Sequence, residues 1–478
     1  MKKKVCMFVR NNCKNDARVL KEAGTLTQNG YEVQIIAVFD RFCIKDDIRE
    51  EKNGITIQRL ELKSLVIILL TLFRNLTLFV PQMLKIQNLF RQLVLEKNEK
   101  KKQIQIDKPR KVSVLFWGII YLLVRFFFSA VRKSLRFILV TSKKVKGVLY
   151  GILKKILIPF HRPFISLDYY LKASKAAIEF QPDIIHCHDL NTLWAGYLVK
   201  RKRKHVKFIY DSHELYLYRN KSEKQYFSSL IEKITERYLI NKVDSVITVS
   251  QSIADFLQEK YKIKSPSVIM NCPITHRQND EENSITGVGY EIFDNKDVKK
   301  VLYLGGRTFN RGIEYVIEAI KYTEKDVVFI LMGPGNKKYD EKFMKIAEEN
   351  NVLDRVFFLD PVPHDQVILY AKKADVGISP IINSCLSYYF CLPNKLFEYV
   401  NSALPVLSSN FPEMKRIVEG YQIGETFDPT NPKDIADKIN STLEKERHTK
   451  YIHNCLDIAG QFTWETEEKK LSVIYQSL

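Results

Sequence analysis

The stretch KVLYLGGRTFNRGIEYVIEAI, residues 300–320, joins an apolar run to a glycine-rich turn and then to a segment with helical spacing. Near-continuous apolar runs of this kind are typical of strands that are buried on both faces of a parallel sheet. Similar runs recur along the chain with helical segments between them: VCMFVRN, YEVQIIAV, ITIQRLEL, DIIHC, KFIYD, SVITVS, SVIMN, VVFILMG, RVFFLD, VGISP and PVLSS. This alternation predicts an α/β chain with two doubly wound, Rossmann-like domains in tandem.

The polar stretch 274–297 lacks apolar periodicity and is the best candidate for a domain boundary. We therefore expect an N-terminal domain over residues 1–273, a linker over 274–297 and a C-terminal domain over 298–450. Residues 451–478 are predicted to contain a helix that packs back on the N-terminal domain.

The net charge of +20 is concentrated in one segment. Residues 97–162 contain 17 Lys/Arg and 2 acidic residues, a net charge of +15, which leaves only +5 for the rest of the chain. The eight cysteines include no C-x-x-C pair, and the apolar run after the basic N-terminus is too short for a signal peptide. Reduced thiols in a cytoplasmic protein are the expectation.

Residues 60–165 fit neither domain and are predicted to form a basic, apolar helical insert. Two apolar stretches, residues 64–81 and 112–130, each contain an arginine, Arg74 and Arg125. A single membrane crossing would place strands of one sheet on opposite sides of the bilayer. Only an even number of crossings, or none, is therefore compatible with the fold.

The cations Arg125, Arg132, Arg136 and Lys143 are spaced 7, 4 and 7 residues apart, which places them in one stripe of a helix. This pattern favours a helix in the interface of an anionic membrane. A transmembrane hairpin and an internal helical subdomain remain alternatives. Nucleic acid is not expected as a partner, because the aromatic residues nearby lie within an aliphatic run.

Several glycines and arginines follow the strands of the C-terminal domain. Glycine exposes backbone N–H groups, a helix N-terminus attracts anions, and arginine binds phosphate in a bidentate manner. The residues concerned are Gly305, Gly306, Arg307 and Arg311 after one strand, and Gly333 and Gly335 in FILMGPGN. A strand–turn–helix with two surface arginines is the alternative to an anion site.

The stretch FCLPNKLFEYVNSALPVLSS, residues 390–409, places Glu398 in the second turn of a helix at the same edge of the sheet. A carboxylate can accept hydrogen bonds from both hydroxyls of a ribose. Together with Arg307 and Arg311, Glu398 predicts a nucleoside diphosphate site.

The ordered motifs GGR…RG, GPG, AD…SP and NKLFEY…ALPV resemble the C-terminal half of retaining glycosyltransferases of family 4, which have the GT-B fold. The N-terminal motifs NDARVLKEAGTLTQNGYEV, PDIIHCHDLNTL, YDSHELY and ITVSQSIADFL resemble the other half, in the expected order. The resemblance covers about four-fifths of the chain and leaves out the insert. It implies two Rossmann-like domains facing a cleft.

In this family an arginine and a basic residue before the helix glycine bind the donor diphosphate, which implies these roles for Arg307 and Arg311. The resemblance implies that Glu398, the second glutamate of the E-x7-E motif, holds the nucleotide ribose. Phe390 stands where the first glutamate is expected. The Leu392–Lys395 backbone or the side chains of Asn394 and Lys395 could replace its contact with the transferred sugar.

The resemblance also assigns residues to the N-terminal domain. His188 of HCHD corresponds to the family's histidine near the donor sugar, whereas His186 is expected to be a strand residue. Independently of the resemblance, YDSHELY lies at the end of the next predicted strand, so Asp211, His213 and Glu214 are candidates for acceptor contact. His213 and Glu214 could instead cap a helix.

Asn15 and Asp16 occupy the helix start where the family has a glycine-rich loop. Asp16 is also a candidate N-cap of the first helix. We group both residues with the acceptor side of the predicted site.

These features predict a metal-independent transferase that moves a hexose-type unit from a UDP- or GDP-sugar, with retention, to a lipid-linked or other glycan acceptor. The expected location is the cytoplasmic face of the plasma membrane, with peripheral or monotopic attachment and a role in envelope polysaccharide synthesis. No cofactor is expected besides the nucleotide sugar. A catalytically inactive, membrane-bound sensor or scaffold that binds sugar nucleotides is the alternative, because of Phe390.

Overall fold

The computed structural model describes residues 2–39, 47–74, 143–220, 226–274, 289–363 and 366–478. Among these residues, one compact unit contains those within 1–37, 47–59 and 177–478, and a second contains those within 38–46 and 60–176. Most of the predicted linker and of the basic insert, residues 275–288 and 75–142, lies outside the described residues. The arginines at 125, 132 and 136 lie outside them too.

Two sheets form the frame of the larger unit. The first has the strand order β3-β4-β2-β1-β5-β6-β7-β8 and the second has the order β11-β10-β9-β12-β13-β14. The strands are β1 Lys4–Phe8, β2 Glu32–Val38, β3 Arg49–Lys52, β4 Ile55–Leu60, β5 Ile184–His188, β6 Lys207–Ser212, β7 Ser245–Thr248, β8 Ser267–Val268, β9 Lys299–Leu304, β10 Val327–Met332, β11 Val356–Leu359, β12 Val376–Ser379, β13 Val406–Ser409 and β14 Gly424–Phe427.

Helices connect the strands, as the alternation in the sequence predicts. In chain order they are α1 Ala17–Gln28, α2 Leu65–Arg74, α3 Lys143–Leu157, α4 His161–Phe180, α5 Leu193–Lys202, α6 Tyr226–Leu239, α7 Gln251–Tyr261, α8 Ile313–Ala319, α9 Lys337–Glu349, α10 Val367–Ala371, α11 Leu386–Tyr389, α12 Asn394–Asn401, α13 Pro412–Val418, α14 Pro432–Thr442, α15 Lys445–Ile458 and α16 Trp464–Gln476. The prediction of a doubly wound α/β fold is confirmed.

The strand pairs next to β1, β5, β6 and β9 are parallel, so their carboxyl ends meet at one edge of each sheet. Open parallel sheets bind their ligands at this edge, where the strand order reverses. In the first sheet the reversal lies between β1 and β5, and in the second it lies between β9 and β12. These edges hold the predicted site residues.

Helix α16 completes the core of the first sheet. Trp464, Leu471, Ile474 and Tyr475 pack with the strand residues Val5, Met7, Ile184 and Ile209 in one buried cluster. The indole N–H of Trp464 donates to Thr25 Oγ1 at 3.0 Å. The last helix of the chain is therefore part of the N-terminal core.

The second unit contains α2, α3 and most of α4. Val66 and Leu69 of α2 are buried, whereas Ile152 and Ile156 of α3 are about half exposed, at 51% and 52%. Within the described part of the chain, no helix combines the length and apolarity that a membrane crossing needs. The apolar stretch 112–130 lies outside the described residues.

Candidate active site

Asp211 is the hub of a buried cluster of charges at the carboxyl edge of the N-terminal sheet. Arg18 donates to both carboxylate oxygens, with Nε–Oδ2 and Nη2–Oδ1 distances of 2.9 Å. His213 Nε2 lies 2.9 Å and His188 Nδ1 lies 3.2 Å from Oδ2. The predicted residues Asp211, His188 and His213 are therefore in direct contact, and Arg18 holds them from helix α1.

The environment of His213 favours its charged form. Burial by itself lowers the pKa of this histidine, but the carboxylates of Asp189 and Asp211 outweigh burial and raise the pKa to about 9. Asp211 responds in the opposite direction: burial raises its pKa, yet Arg18 and His213 hold the pKa well below its usual value. His213 is an imidazolium at neutral pH, and its side chain is 21% exposed.

His188 is the neutral member of the cluster. Burial and the neighbouring His186 lower the pKa of His188 to about 3, although Asp211 acts against them. The two imidazole rings stack with a centroid distance of 4.4 Å. Nδ1 of the uncharged ring faces Asp211. Nε2 is buried and has no hydrogen-bond partner among the described residues.

Four side chains of this cluster have the chemistry of metal ligands. Ligand atoms of Glu22, His186, His188 and Asp211 all lie within 4.8 Å of one another. The Arg18 guanidinium also lies there, with its Nε 3.0 Å from Glu22 and 2.9 Å from Asp211. A metal ion would therefore share these carboxylates with a cation that is already bound to them.

A cavity of about 490 Å³ opens next to this cluster. Five of its eleven lining residues are asparagines, whose side-chain amides suit the hydroxyl groups of a sugar because each amide both donates and accepts hydrogen bonds. The lining residues are Asn11, Asn12, Asn15, Asp16, Ala17, Arg18, His213, Val249, Asn271, Leu392 and Asn394. The cavity brings Asn15, Asp16 and His213 together with Asn394 of the C-terminal domain.

Asp16 is the N-cap of α1, as predicted, and its Oδ1 accepts from the backbone N–H of Val19 at 3.4 Å. Its other oxygen accepts from the Asn11 amide at 2.7 Å. The adjacent Asn15 is exposed at the cavity wall. Asp16 therefore shapes the loop that lines the cavity.

Glu214 reaches toward the C-terminal domain. Its Oε1 pairs with Arg219 at 3.2 Å, and its Oε2 lies 3.4 Å from Ser387 Oγ. The alternative that His213 and Glu214 begin a helix is wrong, because a turn follows β6 and a short 3-10 segment begins only at Tyr216. Both residues are loop residues.

Arg307, in the loop after β9, is 5% exposed, and four of its five N–H donors form hydrogen bonds with described residues. Nε and Nη2 form a bidentate pair with Asp340 at 2.9 and 3.0 Å. Nη1 donates to the carbonyl oxygens of Gly333 and Leu359, which follow β10 and end β11. Arg307 thus ties three strand ends together, and a diphosphate contact would require some of these bonds to be given up.

The glycines near Arg307 make room for this arrangement. A Cβ on Gly335 would overlap the Arg307 guanidinium, and a Cβ on Gly333 would overlap the Gly305 carbonyl. Gly333 and Gly305 also have positive φ values of 148° and 125°. Close packing of the strand ends accounts for Gly333 and Gly335, whereas a Cβ on Gly306 would come no closer to its neighbours than 3.9 Å, at the Pro334 carbonyl.

Arg311 and Lys395 lie beside the end of β9. The Lys395 Nζ is 3.4 Å from the centre of the Tyr303 ring and 3.4 Å from the place that a Gly305 Cβ would take. The Arg311 guanidinium carbon is 5.2 Å from the centre of the Tyr388 ring. The two cations are close enough that Arg311 lowers the pKa of Lys395.

Glu398 lies in the second turn of α12, which begins at Asn394 as expected. Its negative charge raises the pKa of Lys395, and it also raises the pKa of Lys21 from helix α1. Burial and Arg18 act more strongly and lower the pKa of Lys21 to about 8. Glu398 therefore sits among cations that come from both domains.

Phe390 contacts the N-terminal domain. Its carbonyl oxygen accepts from Ser250 Oγ at 3.0 Å, and its ring lies 6.2 Å from that of Phe256. Nearby, the buried Glu413 accepts from the backbone N–H of Ser252 at 2.6 Å, at the start of α7. The segment that carries a glutamate in the family pattern thus joins the two domains here.

Sequence reasoning missed Arg18, Glu22 and Asp340. Arg18 and Glu22 are four residues apart on α1, a spacing that is usual for exposed ion pairs. Their helix face also carries Thr25, next to the apolar stripe of Val19, Ala23 and Leu26. Two charged residues next to the buried apolar stripe of one helix are the sequence feature that indicates a buried network of charges.

Comparison with known proteins gives the same architecture. A model described as Glycosyltransferase Family 4 matches residues 131–277, and one described as Glycosyl transferases group 1 matches residues 291–455. An uncharacterized glycosyltransferase of Methanocaldococcus jannaschii is 24% identical, covering 62% of this chain and 75% of the relative. A D-inositol 3-phosphate glycosyltransferase of Corynebacterium diphtheriae is 21% identical, covering 61% and 70%.

A solved structure of Anabaena HepE in complex with UDP superposes with a TM-score of 0.61. The superposition covers 100% of both chains at 12% sequence identity, which shows the fold. The predicted GT-B-like architecture with two Rossmann-like domains is confirmed.

Proposed function

We propose, from the premise that this chain is a glycosyltransferase with a GT-B fold, that it moves a hexose-type unit from a nucleotide sugar to a lipid-linked glycan. The donor is a UDP- or GDP-sugar, and the anomeric configuration is retained, as the resemblance to family 4 implies. The reaction takes place at the cytoplasmic face of the membrane, in envelope polysaccharide synthesis.

The observation that carries this proposal is the position of Arg311, Lys395 and Glu398. They meet at the carboxyl edge of the C-terminal sheet, and Asn394 of the same helix lines the amide-rich cavity of the N-terminal domain. In this proposal, the α12 residues for the diphosphate and the ribose thus lie within about one turn of the residue that lines the cavity for the sugar. A solved structural neighbour binds UDP, which supports the same class of donor.

In the proposed reaction, the bond between the sugar carbon C1 and the diphosphate oxygen breaks, and its electron pair goes to the diphosphate. The acceptor hydroxyl oxygen bonds to C1, and its proton goes to an oxygen of the leaving phosphate. Arg311 and the backbone amides near Gly306 stabilise the developing negative charge. Glu398 accepts hydrogen bonds from the two ribose hydroxyls.

The cavity next to the Asp211 cluster holds the transferred sugar and the acceptor. Asp211 keeps neutral His188 in one orientation, and this histidine, 2% exposed, supports the cavity without lining it. Charged His213 at the cavity wall attracts an acceptor that carries phosphate or carboxylate. No step in this scheme requires a metal ion.

The donor is identified by thermal shift with a panel of UDP- and GDP-sugars, followed by transfer of the labelled sugar to membrane acceptors. Arg311→Ala and Glu398→Ala should each abolish most of the transfer. The exposed Lys325→Ala and Glu341→Ala variants of the same domain serve as matched controls. Wild-type transfer by both site variants would refute the proposed site.

The surface of the second unit supports membrane attachment. Ile152, Ile156 and Ile158 are about half exposed, and Lys154 and Lys155 lie between them. Exposed aliphatic side chains next to lysines suit the interface of an anionic membrane. We propose peripheral attachment through this unit.

Sedimentation with vesicles tests the attachment. The double variant Ile152→Glu/Ile156→Glu should lose binding to vesicles that contain anionic lipid. Leu456→Glu, which alters an exposed leucine of α15, should bind like the wild type. Undiminished binding of the double variant would contradict a membrane role for this surface.

Phe390 favours a second candidate function, a sensor or scaffold that binds the nucleotide sugar without transferring it. The segment around Phe390 holds the two domains together through Ser250 and Phe256. If the protein is a sensor, the wild type should bind the donor without transferring the sugar or hydrolysing the donor. Arg311→Ala should abolish that binding. Transfer by the wild type eliminates it.

A further inference from the structure

Two arginines follow β9, and the structure assigns them different states. Arg307 forms a bidentate ion pair with Asp340 and donates to two carbonyl oxygens, so four of its five N–H donors are used. Arg311 forms no hydrogen bond or ion pair with any described residue and lies only over the Tyr388 ring. An arginine whose donors are already bound is a poor ligand for a new anion, because each new bond replaces an existing one.

Lys395 is the cation that accompanies Arg311. Among the described residues no carboxylate lies within ion-pair distance of its ammonium group, which rests on the Tyr303 ring at 3.4 Å. Its side chain is partly buried at the start of α12, next to Gly305 at the end of β9. Lys395 therefore points to the edge of the sheet at which ligands bind.

The charged and titratable groups around Lys395 are few. Arg311 comes from the turn after β9, Glu398 and Cys391 come from α12 and the loop before it, and Tyr303 comes from β9. Burial and Arg311 lower the pKa of Lys395 well below its ordinary value, and Glu398 compensates only in part. Two partly buried cations side by side destabilise each other unless an anion joins them.

We propose that Lys395 and Arg311 together bind the diphosphate of the donor, while Arg307 is a positioning residue that fixes the ends of β9, β10 and β11. This assignment rests on the proposed function and changes the roles of two residues. Lys395 contacts the diphosphate rather than the transferred sugar. Arg307 acts through the strand ends and touches no donor atom.

Nucleotide binding to the full chain tests the assignment. UDP and GDP are titrated by calorimetry, and the nucleotide that binds is compared with its monophosphate. Lys395→Gln and Arg311→Gln should each weaken diphosphate binding about 10- to 100-fold, because each removes a charge-assisted contact. The loss for the monophosphate should be smaller.

Arg307→Gln and Asp340→Asn should have another signature. Both should lower the unfolding midpoint in urea, since each leaves a partly buried charge without its partner, and both should keep diphosphate affinity within about threefold at temperatures where they are folded. Arg307→Lys keeps the positive charge but loses the bidentate geometry. It should therefore restore only part of the stability that Arg307→Gln loses. Lys325→Gln, at the opposite end of β10, is the matched surface control.

Unchanged affinity in Lys395→Gln, or a loss of affinity in Arg307→Gln without a loss of stability, would overturn this assignment and leave the proposed function intact. A wild-type chain that binds neither UDP nor GDP would overturn both.

Discussion

The carboxyl edges of the two sheets differ in how their charges are balanced. At the N-terminal edge Arg18, Asp211 and His213 form a closed set of buried contacts at 2.9 Å. At the C-terminal edge Arg311 and Lys395 lie side by side over aromatic rings, with no anionic partner at ion-pair distance among the described residues. The first edge is complete without a ligand, and the second is not.

The charged residues at the two edges therefore have different roles. A closed network fixes the orientation of His188 and shapes the adjoining cavity, so its removal should mainly affect stability. An unbalanced pair of cations lowers stability and should contribute through the anion that it binds. Stability and binding measurements can therefore distinguish the two edges.

The largest expected effect is on the closed network. Arg18→Met removes the cation that balances Asp211 and Glu22, and should lower the free energy of unfolding by about 3–5 kcal/mol. Urea denaturation measures the change, with the exposed Arg49→Met as the control. An unaltered midpoint would show that Arg18 does not hold this network together.

Arg311→Gln should lower activity and leave stability intact, in contrast to Arg18→Met. We expect kcat/KM for the donor to fall about 100-fold, or about 3 kcal/mol, because a charge-stabilising donor is lost from the transition state. The free energy of unfolding should be equal to or higher than that of the wild type. A marked loss of stability would place Arg311 with Arg18 as a structural residue.

The pH dependence of stability tests the charged state of His213. Its pKa is raised to about 9, whereas an unfolded histidine titrates at about 6.5. The stabilisation is therefore complete below about pH 6.5 and is lost as the pH rises toward about 9, by about 1–2 kcal/mol for this partly exposed group. Urea unfolding of the wild type should show this decline.

His213→Gln should show a smaller decline over the same range. Above pH 6.5 the buried thiols titrate equally in both proteins, so the difference between them isolates His213. Parallel curves for the two proteins would contradict a charged His213.

The smallest expected effect is that of a chelator. Arg18 already binds the carboxylates of Asp211 and Glu22, so EDTA should leave the rate of sugar transfer unchanged. The control is the same assay with added magnesium or manganese. Activity that EDTA removes and one of these ions restores would assign a metal to the cluster of Glu22 and His186.

The sequence was sufficient for those parts of the fold that depend on local chemistry. Apolar runs predict the strands because a buried strand has no polar face, and Asp16 predicts the start of α1 because its oxygen satisfies a free N–H. The helix start at Asn394 followed in the same way from the preceding proline.

The roles of the arginines could not be predicted in this way. Arg307 and Arg311 lie in the same turn, and the choice between them depends on Asp340, which lies 33 residues further along the chain. The pairing of Arg18 with Asp211 spans 193 residues. Such contacts depend on how the strands are ordered in the sheet, and spacing along the chain does not record that order.

The position of α16 has a consequence for the biogenesis of the protein. Trp464, Leu471 and Tyr475 fill the core beneath β1, although the ribosome delivers them after every strand of both sheets. The N-terminal lobe therefore cannot seal its interior during translation, in contrast to the usual vectorial order of multidomain folding. Its nascent chain must expose that apolar surface until synthesis reaches α16.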